Sequence, residues 1–443
     1  MDYSGKINLL GKKYHYIIKG YEMTIVNTRI DILRNHKLSE ITNKWIETET
    51  NEEKKLVVKL SYKNARDDAI IMKIDAYFYI IDLEYKREKM KDEIHKITYR
   101  SDVLDYFFRP NKKYIKLVSN LIQTFDNGKL KKENFKKYEF YYNNKKFIMY
   151  FGINSYLRTN ERFMFDVFSS LNIECDDNIT FDEVYEISMY VKKFLSFISN
   201  TRKVYFDEVM INGYFNESKY KYGYFYLNHG DKESVYYMNV LNYDDLKNNI
   251  QEIMQEIIND NICFTSLFQY DQNYINTIDI MNICAAFECQ FDRTYPKFKN
   301  KRFNDVKNDI LLNLKEFKLD YKKDKESQEI LDGIILSVKN YKDVLKSKLE
   351  YALKDFEKLY TTKVRKYMDI KFDFKDNYMD MPSRIKNARN QLDHGNTNVK
   401  INYDVLTDTI LLRAITYFMI FKSAGMNKTN TMKCIRKFTR FGV

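Results

Sequence analysis

A chain of 443 residues is long enough for two or three ordinary domains, and its 44% hydrophobic and 31% charged residues exclude a disordered polymer. No run of about eighteen uncharged apolar residues occurs, which excludes a membrane-spanning helix, and Asp2 and Lys6 interrupt the apolar core that a signal peptide needs. The net charge of +12 is uneven: residues 261–443 hold 33 basic and 23 acidic groups, against 41 and 39 in the first 260.

The first part of the chain reads as strands. Tyr14 to Ile18, Leu56 to Leu60, Ala69 to Leu83 and Tyr138 to Phe151 are rich in β-branched and aromatic residues, with polar turn-like clusters between them. Asn143-Asn144 tolerates positive φ and predicts a hairpin turn. Thr180-Phe181-Asp182-Glu183 reads as a helix N-cap with acids in its first turn, followed by Val184, Ile187, Val191 and Phe194-Leu195 at helical spacing. Strand signals return at Lys203 to Gly213 and Tyr220 to Leu227. Residues 1–240 are therefore expected to form a β-rich domain with at least one helix.

From Asn242 the apolar period becomes helical. Leu246, Ile250, Ile253-Met254 and Ile257 share one face, and Ile275 to Phe291 is apolar on one broad side. Ser327 to Tyr367 reads as a long helical stretch with at least one break, Ser383 to His394 as a short helix, and Tyr403 to Ala424 as the centre of a bundle. The fold class is α+β: residues 241–443 form an all-α bundle behind the β-rich domain.

The five cysteines (Cys175, Cys263, Cys284, Cys289, Cys434) are odd in number and irregular in spacing, with no Cys-x-x-Cys and no nearby histidine. Reduced, mostly buried thiols in a cytoplasmic protein are expected, with no metal and no cofactor. The abundance of Lys, Asn, Ile and Tyr suggests an AT-rich, bacterial genome. The last stretch carries Lys422, Lys428, Lys433, Arg436, Lys437 and Arg440 and no acid. Such a field attracts polyanions; a lysine-rich solvated surface accounts for it equally well.

Chemistry concentrates in Arg389-Asn390-Gln391-Leu392-Asp393-His394-Gly395. On a helix, Ile385, Ala388 and Leu392 cluster on one side, and Lys386, Arg389, Asn390, Asp393 and His394 on the other. That face suits RNA cleavage, in which a 2′-hydroxyl attacks its own phosphate. The reaction needs a base, an acid and positive charge. Histidine is the side chain whose unperturbed pKa lies near neutrality, so His394 can serve as acid or base, while Arg389 can hold two phosphate oxygens. Five residues separate the two, about 140° around a helix, so a two-fold pair of chains is expected to complete the site.

The segment Arg-Asn-x-Leu-x-His-Gly, followed by a loop and a long apolar helix, resembles the HEPN superfamily, and within it the ApeA-like group of bacterial anti-phage proteins. The resemblance implies that Arg389 and His394 are the catalytic pair and that Asn390 supports them. It also implies an acidic residue from an upstream helix, and Glu288 in Ala285-Ala286-Phe287-Glu288 matches that position, with Arg389 as its expected partner. Arg384, Lys386, Lys433, Arg436, Lys437 and Arg440 are expected to hold RNA, whether tRNA or another host RNA. The expected assembly is a homodimer through the HEPN domain, with a phage-derived trigger sensed by the β-rich domain. Where some HEPN toxins carry a tyrosine two residues after the histidine, this chain has Asn396. A non-catalytic RNA-binding or protein-interaction module on the same bundle is the alternative.

Overall fold

The computed structural model describes residues 2–9, 11–26, 41–52, 54–66, 69–81, 93–110, 136–158, 164–201, 204–215, 218–228, 239–263, 275–298, 301–322, 324–340, 345–359, 378–393 and 402–438. The chain divides into two compact units, Met1–Asn259 and Asp260–Val443. The first is β-rich and the second helical.

The first unit is built on strands β1 (Asp2–Leu9), β2 (Lys12–Lys19), β3 (Glu22–Val26), β4 (Trp45–Thr50), β5 (Lys55–Arg66) and β6 (Ala69–Ile80). It continues with β7 (Lys96–Arg100), β8 (Lys137–Tyr142), β9 (Lys145–Arg158), β10 (Met164–Cys175), β11 (Glu208–Phe215) and β12 (Ser218–Leu227). The strands run β3-β2-β1-β4-β5-β6, and β3 pairs back onto β6, which closes a barrel. Long β6 serves two neighbours on the same edge. Its start, Ala69–Lys73, pairs with β3, while Ala76–Ile80 pairs with β12. From β12 the sheet runs on through β11-β7-β10-β9-β8.

Alternation drives the barrel. On β2, Tyr14, Tyr16 and Ile18 are buried while Lys13, His15 and Ile17 face outward, and the inward rows of Ile7, Ile25, Leu56 and Met72 meet in one core. The β8–β9 hairpin turns on Asn143 and Asn144, both at positive φ (48° and 61°), the two-residue geometry that matches strand twist.

Helix α1 (Asp102–Phe108) and helix α2 (Phe181–Ser199) cover the sheet. The N-terminus of α2 carries a capping box between Thr180 and Glu183. Its Phe181 packs on Phe78, and Ser188 shares a buried hydrogen bond of 3.0 Å with Tyr99. Helices α3 (Tyr243–Leu246) and α4 (Ile250–Ile258) also belong to this unit. Gln251 and Gln255 of α4 accept hydrogen bonds from the backbone N–H groups of Glu139 and Tyr141 on β8, so α4 seals that edge.

The second unit comprises α5 (Thr277–Thr294), α6 (Lys301–Asp320), α7 (Lys325–Asn340), α8 (Leu345–Glu357), α9 (Met381–Asp393), α10 (Tyr403–Ser423) and α11 (Lys428–Phe438). Helix α10 is buried on all sides from Leu411 to Phe421, as expected of a bundle's central helix. Helices α5, α8, α9 and α11 pack around it. Helices α6 and α7 form a hairpin. No described helix is long and apolar enough to cross a membrane.

Cys263 and Cys289 are joined as a disulfide, with Cα atoms 6.7 Å apart. This corrects the expectation of reduced thiols throughout: irregular spacing in sequence does not prevent two cysteines from meeting across a fold. Cys175, Cys284 and Cys434 are buried thiols outside any disulfide.

Candidate active site

Helix α9 follows a short 3-10 turn at Tyr378–Asp380 and starts at Met381, two residues before the expected start at Ser383. Pro382 sits in the first turn, where its missing N–H costs no helical bond. Met381, Ile385 and Ala388 are buried at spacings of four and three and fix the helix against α5, α8 and α10. That leaves Arg389 and Lys386 half-buried and Asn390 exposed. His394 and Arg440 lie outside the described residues.

Helix α5 supplies the acid. Its N-terminus is fixed by a reciprocal cap: Asn276 accepts from the backbone of Asp279 at 2.8 Å, and Asp279 accepts from the backbone of Asn276 at 3.2 Å. Ile280, Ile283, Cys284, Phe287 and Phe291 are buried. Glu288 stands beside this stripe, and its carboxylate meets the Arg389 guanidinium at 3.4 Å. Both side chains remain about a third exposed (33% for Arg389, 27% for Glu288). The Cys263–Cys289 disulfide anchors the adjoining position of α5.

Arg384, one and a half turns earlier on α9, has a different setting. Its Nε and Nη2 donate to the two carboxylate oxygens of Asp408 on α10, at 2.6 and 2.8 Å. The Asp408 side chain is 2% exposed. Burial pushes its carboxyl above the usual range, and Arg384 offsets part of that rise. The same hydrogen bonds raise the Arg384 guanidinium further above its ordinary value. The pair locks α9 to α10 and engages Arg384 in structure. Asp408 escaped the sequence reading. Its signal was an acid inside an apolar helix, the same kind that picked out Glu288.

The basic C-terminal stretch is only partly open. Lys422 donates to Asp355 of α8 and lies 4.7 Å from the centre of the Tyr295 ring. Helix α11 docks through Met432, Ile435 and Phe438, the last with its ring tilted against Tyr417 at 4.3 Å between centroids. Lys433 is exposed, and Arg436 and Lys437 are half-buried. Among the described residues, no group of three or more His, Cys, Asp or Glu could hold a metal ion.

A β-rich unit followed by a helical bundle, in which an arginine of α9 pairs with a glutamate of α5, makes this an α+β protein. Residues 281–430, from α5 to the start of α11, match the family model described as Apea-like HEPN. The C-terminal part of the chain is accordingly an Apea-like HEPN domain, of a family that is generally ribonuclease-like. Comparisons with curated proteins and with solved structures gave no match.

Proposed function

We propose that the chain is a metal-independent HEPN endoribonuclease of the bacterial cytoplasm that serves anti-phage defence by abortive infection. The observation that carries this reading is the setting of Arg389, a partly exposed guanidinium that meets Glu288 at 3.4 Å within the Apea-like HEPN match. A partly solvated pair of this kind contributes about 0–1 kcal/mol. A phosphate that accepts two hydrogen bonds can displace the carboxylate at little cost.

In the proposed reaction the 2′-oxygen attacks phosphorus and the bond to the 5′-oxygen breaks. One group removes the 2′-proton and another protonates the leaving 5′-oxygen. Arg389 stabilises the crowded phosphate. His394 acts as acid or base, Asn390 orients the site, and Glu288 positions Arg389. The products are a 2′,3′-cyclic phosphate, or its hydrolysed form, and a 5′-hydroxyl. Two chains face each other as a homodimer, each contributing one Arg389 and one His394. Lys386, Lys433, Arg436, Lys437 and Arg440 hold the RNA backbone, whether of tRNA or another host RNA, and the β-rich unit responds to a phage-derived trigger.

Purified protein, Arg389→Ala and His394→Ala are incubated with total RNA, and the ends are sequenced. Cleavage by the wild type alone, leaving cyclic phosphate ends, supports the enzyme. Expression with and without phage tests the defence role.

One observation favours a second reading, a non-catalytic RNA-binding or interaction module: both arginines of α9 have carboxylate partners. Equal RNA retention without cleavage by all three proteins would establish it.

A further inference from the structure

The α6–α7 hairpin is the least buried part of the helical unit. Among the described elements, α6 and α7 pack extensively only on each other. Their shared seam is closed by Leu331 and Ile335, which are buried. The Lys318–Asp332 ion pair and a 2.7 Å hydrogen bond from Lys307 Nζ to the Lys339 carbonyl tie the two helices together.

One face of this hairpin is apolar and exposed. Val306 and Ile310 of α6 and Ile330 and Ile334 of α7 are each 43–58% exposed. They flank a groove of about 610 Å3 whose lining also includes Gly333 and Ser337. A Cβ at Gly333 would meet nothing within 4 Å, so the groove is open there. Helices normally turn such a stripe inward, and a contiguous apolar patch of this kind marks an interaction surface.

We infer that this face docks the same face of a second copy of the chain, the two hairpins forming an intermolecular four-helix bundle. Three features select a copy over another partner. First, ridge and hollow lie side by side: Ile330 and Ile334 project next to Gly333 and Ser337. A two-fold axis then sets each ridge into the opposing hollow. Second, the area suffices. A 20-residue helix is about 30 Å long, and two helices side by side are roughly 20 Å wide. Burying such a face on both copies removes on the order of 1,200 Å2, the lower bound of stable interfaces. Third, the charge permits it. Residues 301–340 carry 9 basic and 8 acidic groups, while the rest of 261–443 carries 24 and 15. The hairpin is thus the near-neutral part of a cationic region. It neither repels its own copy nor attracts a polyanion.

The inference shares with the nuclease reading only the need for a second copy. The full-length protein is examined by sedimentation as wild type, as the double variant Ile310→Glu/Ile334→Glu, and as Arg389→Ala. The wild type and Arg389→Ala are expected to be dimers, and the double variant at least 100-fold weaker in self-association with unchanged circular dichroism. Ser337→Cys is expected to cross-link between copies with a short bismaleimide, which the wild type does not do. This variant keeps the test valid should the double variant misfold. A wild-type monomer overturns the inference. So does a dimer indifferent to the double substitution and not cross-linked by Ser337→Cys, although that result leaves a dimeric nuclease intact. A hairpin dimer that never cleaves RNA sinks the nuclease reading alone.

Discussion

Arg384 and Arg389 sit five residues apart on one helix, and each faces a carboxylate from a neighbouring helix. Arg384 makes a two-pronged bridge at 2.6 and 2.8 Å to an aspartate almost wholly removed from water. Arg389 meets Glu288 at 3.4 Å with both side chains partly wet. The chemistry is the same and the consequences differ. Removing one partner of a buried pair strands a charge that cannot be solvated, whereas water readily replaces either partner of a wet pair. The N-terminal half of α9 therefore serves as an anchor, and the C-terminal half as a group that can change partners.

The largest expected effect tests the changeable end. Arg389→Ala should lower RNA cleavage by about 100- to 1,000-fold, the cost of removing one donor to transition-state charge, while thermal unfolding barely moves. A large fall in stability with that substitution would mean that the wet pair is an anchor too. Next comes the anchored end. Arg384→Ala should destabilise the fold by about 3–5 kcal/mol because Asp408 is left buried and unpaired. Denaturant unfolding reads this directly. Replacing both residues with apolar ones of similar size should recover most of the loss. If Arg384→Ala instead spares stability and weakens RNA binding, the contrast between the two arginines fails.

A third carboxylate sharpens the comparison through pH. Burial alone would raise the Asp355 carboxyl, but hydrogen bonds from Lys422 and Tyr295 outweigh it and hold the group below its ordinary value of 3.8. A depressed carboxyl adds stability that is fully present above the unfolded value and is lost as pH falls through the folded one. Asp355→Asn should cost about 1–2 kcal/mol near neutrality and flatten the acid limb below pH 3.8. An unchanged acid limb would show that the Asp355–Lys422 contact does not stabilise the fold.

Sequence pattern made some of this legible. The Asn143-Asn144 turn and the Thr180 cap fall where local chemistry predicts, because both depend on residues a few positions apart. Barrel closure was not legible, since the β3–β6 pairing joins segments about fifty residues apart and leaves no local mark. Helix α6 also escaped. Its apolar residues lie on more than one face, with Leu312 and Leu319 exposed away from the seam, which blurs the helical stripe. The helical period that begins at Asn242 reports element type but not allegiance, for α3 and α4 join the β-rich unit. In the candidate site, residue type pointed to Arg389, and the family resemblance pointed to Glu288. Nothing local distinguished Arg384, because its partner Asp408 lies 24 residues away on another helix.

The smallest expected effect concerns Glu288 itself. If Glu288 only positions Arg389, Glu288→Gln keeps the side-chain volume and one carbonyl acceptor while removing the charge. Stability should change by less than about 1 kcal/mol, as for other partly solvated pairs. Cleavage should fall only a few-fold, with the loss in kcat, because the guanidinium is still delivered but less well aimed. KM should hold or improve slightly, since the neutral amide competes less with phosphate for Arg389. A fall as deep as that of Arg389→Ala, with a displaced pH profile, would instead make Glu288 a proton-transfer group, and the assignment of that role to His394 alone would have to be abandoned.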